Sequence, residues 1–208
     1  MKLYKFRQLT SCRDLERIIE ILETNKFHCA KFSEMNDPME GVYIATVPSK
    51  IDKILTEKNE KRICSFSSKE GFENLAMWGY YANGFKGIAI EIEVDESIVK
   101  KVKYQDEVAE TENVEEILTT KLKYWKHEAE YRFITENNED KCEIGKITKI
   151  YFGSPYENLT NSNEIIPKSK QILEYKKYKE KLENFLEEKK IIFYNLDMTI
   201  LSNITSII

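Results

Sequence analysis

Apolar residues recur along this chain with two periods, near two and near 3.6, and the switches between them outline the elements. Residues 2–7 alternate, with Tyr4 and Phe6 opposite Lys5 and Arg7, which predicts a first strand. After Ser11, a good helix N-cap, Leu15, Ile18, Ile19 and Leu22 fall at i, i+3, i+4 and i+7 and predict a helix with a core face. Residues 27–32 predict a short strand, and Asn36-Asp37-Pro38 a turn whose side chains bond their own backbone. A helix over 51–59, a strand over 62–67 and a helix over 72–83 follow, the last with Leu75, Trp78 and Tyr81 on one face. In the strand over 87–93, Ile88, Ile90 and Ile92 oppose a wetter face of Ala89, Glu91 and Glu93. A short strand is expected at 102–104. The acidic run from Glu107 to Glu116 reads as a loop and a first helical turn, after which Val114, Ile117, Leu118, Leu122 and Trp125 keep helical spacing. Strands over 129–135 and 142–152, a long helix over 163–188 and a strand over 191–196 complete the pattern.

Strands and helices are mixed without strict βαβ alternation, which predicts an α+β fold: a mixed, largely antiparallel sheet with flanking helices. At 208 residues the chain fits a single compact domain, with a core over 1–155 and a C-terminal helix and strand over 156–208 packed on it. Only seven glycines occur and none forms G-x-G-x-x-G, so a dinucleotide-binding βαβ unit is not expected. The run from Gly79 to Lys86 resembles a phosphate loop but sets its lysine one position late; Gly84-Phe85-Lys86-Gly87 reads as a helix end and tight turn.

Composition adds a class. A 12% aromatic content argues for a packed core despite 33% charged residues. A net charge of −4 offers no overall attraction for nucleic acid or an anionic membrane, so either would need a local patch. The cysteines Cys12, Cys29, Cys64 and Cys142 form no C-x-x-C pair and His28 and His127 are far apart, so no metal is expected. The N-terminus lacks the apolar core of a signal peptide and no stretch approaches a membrane span, which predicts cytoplasmic residence with reduced cysteines. The Asn-x-Thr matches at Asn158 and Asn203 then carry no weight. Against 27 lysines stand five arginines, Arg7, Arg13, Arg17, Arg62 and Arg132, each a candidate for a position where the planar five-donor fork matters.

Four polar constellations are candidates for chemistry. Tyr4-Lys5-Phe6-Arg7 is either an edge strand with a wet side or one wall of a site. Asn36, Asp37 and Glu40 form either a plain turn or an amide and two carboxylates aimed into a cleft. Ser65 and Ser67, followed by Trp78 and Tyr81, set hydroxyls beside aromatics, which packing explains and which also suits a flat heteroaromatic ligand. Glu128, Glu130 and Arg132 share one strand face, as a structural ion pair or as a site.

The ordered set LYKFR at 3–7, FSEMNDPMEG at 32–41, CSFS at 64–67, MWGYYANGFKGIAIEI at 77–92, VKY at 102–104, YWKHEAEYRFI at 124–134 and IYFG at 150–153 resembles a bacterial family catalogued as domain of unknown function number twenty-nine seventy-one. The resemblance covers residues 3–155; Gly79 and Tyr80 stand where that family usually has Ser and His. The opening, a Tyr-x-x-Arg strand, a helix and a strand leading to Asn-Asp-x-x-Glu, is also similar to the start of bacterial ADP-ribosyltransferase domains. That likeness implies an NAD-utilising enzyme, a toxin or phage-defence effector, with NAD as substrate and no metal. It implies Arg7, Ser65 or Ser67, and Glu130 or Glu128 at the three motif positions, Tyr4 and Arg132 beside them, and Trp78 or Tyr81 stacked on nicotinamide. The partners it implies are a small nucleotide ligand and a protein or nucleic-acid acceptor.

Two alternatives stand beside it. A nuclease or RNA-binding effector would use the lysine-rich segment 168–190, although its eight lysines alternate with five glutamates as in a solvated helix face. A non-catalytic sensor or interaction module would keep the same motifs for folding alone.

Overall fold

The computed structural model describes residues 1–135, 138–155 and 170–196. Strand β1 (Lys2–Gln8) pairs along its whole length with β5 (Gly87–Glu93), Lys2 opposite Glu93 and Gln8 opposite Gly87. On its other side it meets β4 (Ile63–Ser67) at one register position, Tyr4 opposite Ser67. β4 continues to β10 (Glu130–Ile134) and then β6 (Lys100–Lys101); β5 continues to β12 (Lys146–Phe152) and β13 (Phe193–Asn195). Of these seven strands only β12 and β13 run parallel, so the expected α+β architecture with a largely antiparallel sheet is what the chain adopts.

Helices cover both faces. On one, α1 (Cys12–Thr24) and α6 (Lys170–Lys189) set Leu15, Ile18 and Ile21, and Tyr178, Leu182 and Leu186, against Leu3, Phe66, Ile88, Ile90, Ile92 and Ile150. The Ser11 hydroxyl accepts from Asp14 N at 3.1 Å and opens α1 as its sequence predicts. On the other face, α3 (Lys69–Phe72) and α4 (Leu75–Tyr81) cover Tyr4, Phe6 and Ala89 with Phe72, Met77 and Trp78. Ala89 and Glu91, on the face of β5 expected to be wetter, are therefore buried as well, and Glu93 at its end is exposed. Glu91 tolerates burial because Thr148 Oγ1 at 2.8 Å, Tyr151 OH at 3.0 Å and Lys2 Nζ at 3.1 Å satisfy its carboxylate.

Several expected elements are shorter than their periodicity suggests. The strand over 27–32 is β2 (Lys26–His28), and α2 (Ile51–Glu60) forms as read. The helix over 72–83 is broken at Asn74, whose side chain caps α4 by accepting from Ala76 N at 2.9 Å. The strand over 142–152 is β11 (Lys141–Glu143), paired with β2, and β12. Gly145 divides them where a Cβ would lie 2.5 Å from Glu93 O. The helical run from 114 to 125 stops after α5 (Val114–Ile117) and becomes β9 (Thr120–Leu122), paired in parallel with β7 (Lys103–Gln105), and then a 3-10 turn to Glu128. A second short parallel pair joins β3 (Tyr43–Ile44) to β8 (Ala109–Glu110). The expected start of the last helix at 163 and the Asn-x-Thr matches lie outside the described residues.

α6 and β13 build the same core as the strands before them: Tyr175 OH donates to Gly153 O at 2.6 Å and Lys179 Nζ to Asn195 Oδ1 at 2.6 Å. No helix among the described residues is long and apolar enough to cross a membrane. Truncating Leu182, fully buried, to alanine should cost about 2–5 kcal/mol. The same change at Leu173, 51% exposed, should stay within about 0.5 kcal/mol. Urea denaturation should keep one cooperative transition in both variants if the C-terminal helix belongs to the main core.

Candidate active site

β1 and β4 share only the Tyr4–Ser67 position. Beyond it the sheet opens, and Lys5 Nζ crosses the gap to donate to Ser65 O at 2.7 Å. A cavity of about 230 Å³ occupies this opening. Tyr4, Lys5, Phe6 and Arg7 line it from β1, and Ser65 and Ser67 from β4. Asn36 and Asp37 line it from the loop before β3, Met77 and Tyr81 from α4, and Lys121, Glu128 and Glu130 from the segment running into β10. Faces of a strand that point apart can share a site here because the cleft runs along the open edge of β1.

Behind this lining lies a buried charge cluster of three carboxylates and two cations, of which Lys121, Glu128 and Glu130 reach the cavity. Arg132, fully buried, binds Glu40 through both terminal nitrogens at 2.6 and 2.8 Å and Glu130 through Nε and Nη2 at 2.8 and 3.1 Å. Lys121 Nζ lies 2.6 Å from Glu128 and 2.9 Å from Glu130. The Tyr81 hydroxyl donates to the other Glu128 oxygen, and the Tyr104 hydroxyl accepts from Glu130 N at 2.9 Å. Ala129, between the two glutamates, has φ +42°, a left-handed conformation that reverses the chain and turns both carboxylates toward one cavity. α3 lies directly above: a Cβ on Gly71 would stand 2.4 Å from Glu128 O and 2.8 Å from Ser67 Cβ.

The two glutamates are driven in opposite directions. Burial pushes Glu130 up, but Arg132 and then Lys121 outweigh it and hold the carboxyl well below the usual carboxylate range. For Glu128 burial wins over Lys121, the Glu130 charge adds to it, and the carboxyl is raised. Burial also raises the Tyr81 hydroxyl, with Glu128 adding to it. On the opposite wall, burial lowers Lys5 and Arg7, and among the described residues Arg7 has no hydrogen bond or ion pair. Ser65 Oγ is buried with no hydrogen bond of its own while lying near enough to Glu130 to favour its ionised form.

Tyr4, Arg7, Ser65, Ser67, Tyr81, Glu128, Glu130, Asn36 and Asp37 thus meet around one cavity. Asp37 is at once a turn residue, its Oδ1 accepting from Met39 N at 2.9 Å, and part of the wall. Three expectations are corrected. Trp78 lies in the core, its Nε1 donating to Phe72 O at 2.8 Å and its ring stacked on Phe85, so it stacks on no ligand. Arg132 and Glu40 sit behind the cavity wall and position Glu130 instead of contacting a ligand. Glu128 reaches the cluster from a 3-10 turn instead of from the strand face shared by Glu130 and Arg132. Lys121, Tyr104 and Met77 were not among the expected site residues; Lys121 lies in the run of helical spacing, which the parallel pairing of β9 with β7 makes a strand.

Replacing Arg132 with leucine should destabilise the fold by about 3–5 kcal/mol, because Glu40 and Glu130 are left buried without their partner. Adding Glu40→Gln should recover part of the loss in a urea double-mutant cycle. Stability against pH should separate the glutamates. The raised Glu128 stabilises the fold below its unfolded pKa and loses that contribution as pH rises through its folded value. Wild type should therefore lose ground against Glu128→Gln as pH rises from acid toward neutral. The depressed Glu130 contributes fully above its unfolded pKa and loses this as pH falls toward its folded value, so wild type should lose ground against Glu130→Gln on acidification. The chain matches no protein-family model, no curated protein and no solved structure.

Proposed function

We propose that this chain is an NAD-utilising enzyme of ADP-ribosyltransferase type, which breaks the bond between nicotinamide and ribose and transfers ADP-ribose to an acceptor. The observation that carries this reading is the meeting of Arg7, Ser65, Ser67 and Glu130, from three strands distant in sequence, around one cleft. A volume of about 230 Å³ lies below the roughly 300–1,000 Å³ of sites that enclose a whole drug-sized ligand. It suits the nicotinamide and ribose end, with the remainder of the dinucleotide over the Arg7 rim.

In this reading Lys5 and Arg7 neutralise the pyrophosphate, and Phe6, Met77 and Tyr81 give the nicotinamide ring an apolar wall. Ser65 Oγ supplies a hydrogen bond to a ribose hydroxyl. As the C1′–N bond breaks, its electron pair goes to nicotinamide and positive charge develops on the sugar. Glu130, held ionised by Arg132 and Lys121, faces that charge with little reorganisation. Glu128, with its raised proton affinity and its Tyr81 hydrogen bond, takes the proton that the acceptor loses on attacking C1′. The reading places the chain in the cytoplasm, where its free cysteines stay reduced at rest.

The full engagement of Glu130 by Arg132 and Lys121 favours a second reading, a binding module in which the cluster only maintains the cleft. Calorimetric titration of NAD with nicotinamide release followed in the same samples separates the two. Arg7→Ala should abolish binding. Glu130→Gln, checked for folding by circular dichroism, should leave binding within a few-fold while cutting release about a hundredfold or more. Binding without release would favour the module, and neither signal from folded protein would remove the NAD reading.

A further inference from the structure

Three of the four cysteines belong to one buried cluster. Ala30 and Ile63 form an isolated antiparallel bridge and exchange both backbone hydrogen bonds, each at 2.8 Å. Cys29 and Cys64 are the residues next to that bridge on the two strands, and a hydrogen bond links their thiols. Cys142 lies opposite Phe27 in the neighbouring pair, which makes it a diagonal neighbour of Cys29 on the other side. Both Cys29 and Cys64 are fully buried behind the cavity lining, and Lys5 and Arg7, which line the cavity, lie beside Cys64.

We propose that Cys64 and Cys29 form an oxidation site behind the wall of the cleft, at which a hydroperoxide entering through the cavity is reduced and the two sulfurs close to a disulfide. Cys64 sulfur attacks one peroxide oxygen, the O–O bond breaks, and with hydrogen peroxide the leaving oxygen departs as hydroxide, leaving a sulfenic acid. That hydroxide takes the Cys29 proton as water. Cys29 sulfur then displaces the sulfenic oxygen as hydroxide. From one thiolate, one thiol and one peroxide the products are the disulfide, one water and one hydroxide.

The electrostatics assign the roles. Burial pushes the Cys64 thiol up, but a hydrogen bond with Cys29 and the charges of Lys5 and Arg7 prevail and bring it to about 6. Cys29 is driven up by the hydrogen bond with Cys64 and by burial, so it stays a thiol. Cys64 is therefore the attacking sulfur and Cys29 the resolving one, while the Cys64 thiolate gives a counter-charge to Arg7 and, together with Glu130, to Lys5. This inference holds whether or not the cleft takes NAD.

The test treats the reduced, folded full chain with hydrogen peroxide, blocks remaining thiols with N-ethylmaleimide and maps the peptides without reduction. A peptide linking Cys29 to Cys64 should be the first product, with two of four thiols lost and exposed Cys12 still blocked by the maleimide. In the Cys29→Ser chain, Cys64 should instead be trapped by dimedone as the sulfenic acid. A bridge from Cys29 to Cys142, or oxidation of Cys12 while Cys29 and Cys64 remain reduced in natively folded protein, would overturn the proposal.

Discussion

The guanidinium of Arg132 is the constraint around which the site is arranged. It is fully buried, and burial of a cation is tolerable only when every donor finds an acceptor and the charge is neutralised. All five of its N–H groups are used: two on Glu40, two on Glu130, and one on Leu118 O at 2.5 Å. One side chain thereby ties together the loop carrying Asn36 and Asp37, the chain leaving α5 and the strand β10. A lysine has neither the number of donors nor their planar spread. The lone arginine in the second half of the sequence sits where that geometry is required.

The charge count of the cluster explains the division between its glutamates. Two cations cannot hold three buried carboxylates fully ionised, and Arg132 and Lys121 both favour Glu130. Glu128 keeps one ammonium and a tyrosine hydroxyl, and its carboxyl is the one that rises. Two carboxyls in adjacent positions of the cleft, one fixed as an anion and one ready to exchange a proton, are a pairing suited to catalysis. It comes from unequal sharing of the same cations, with Ala129 in its left-handed conformation bringing both to the same side.

The opposite wall follows from the failure of β1 and β4 to pair beyond Tyr4 and Ser67. A continuous ladder would fill the space with backbone hydrogen bonds. The opening gives Lys5 and Arg7 a cavity to face and Lys5 a carbonyl to bind. It also leaves the Cys64 thiol beside two cations. Two cations, the carboxyls and the thiol thus come together at one break in one sheet.

What the sequence by itself determined was local and periodic. Alternation marked β1, β4, β5 and β10, helical spacing marked α1 and α2, and the polar residues interrupting those patterns included Arg7, Ser65, Ser67, Glu128 and Glu130, because a charge inside an apolar period must be paired or exposed. It did not determine which polar residues face the cleft. Trp78 keeps the spacing of a ligand-stacking aromatic and of a core residue equally well, and only the covering of β1 by α4 makes it core. Lys121 lies in a run with helical periodicity, and only pairing with β7 makes that run a strand, with the ammonium beside Glu128 and Glu130. Cys29 and Cys64 are 35 positions apart, and their thiols meet only because Ala30 bridges Ile63. Periodicity reports the environment one element averages over its length; strand order and register decide which side chains meet, and those are properties of the assembled sheet.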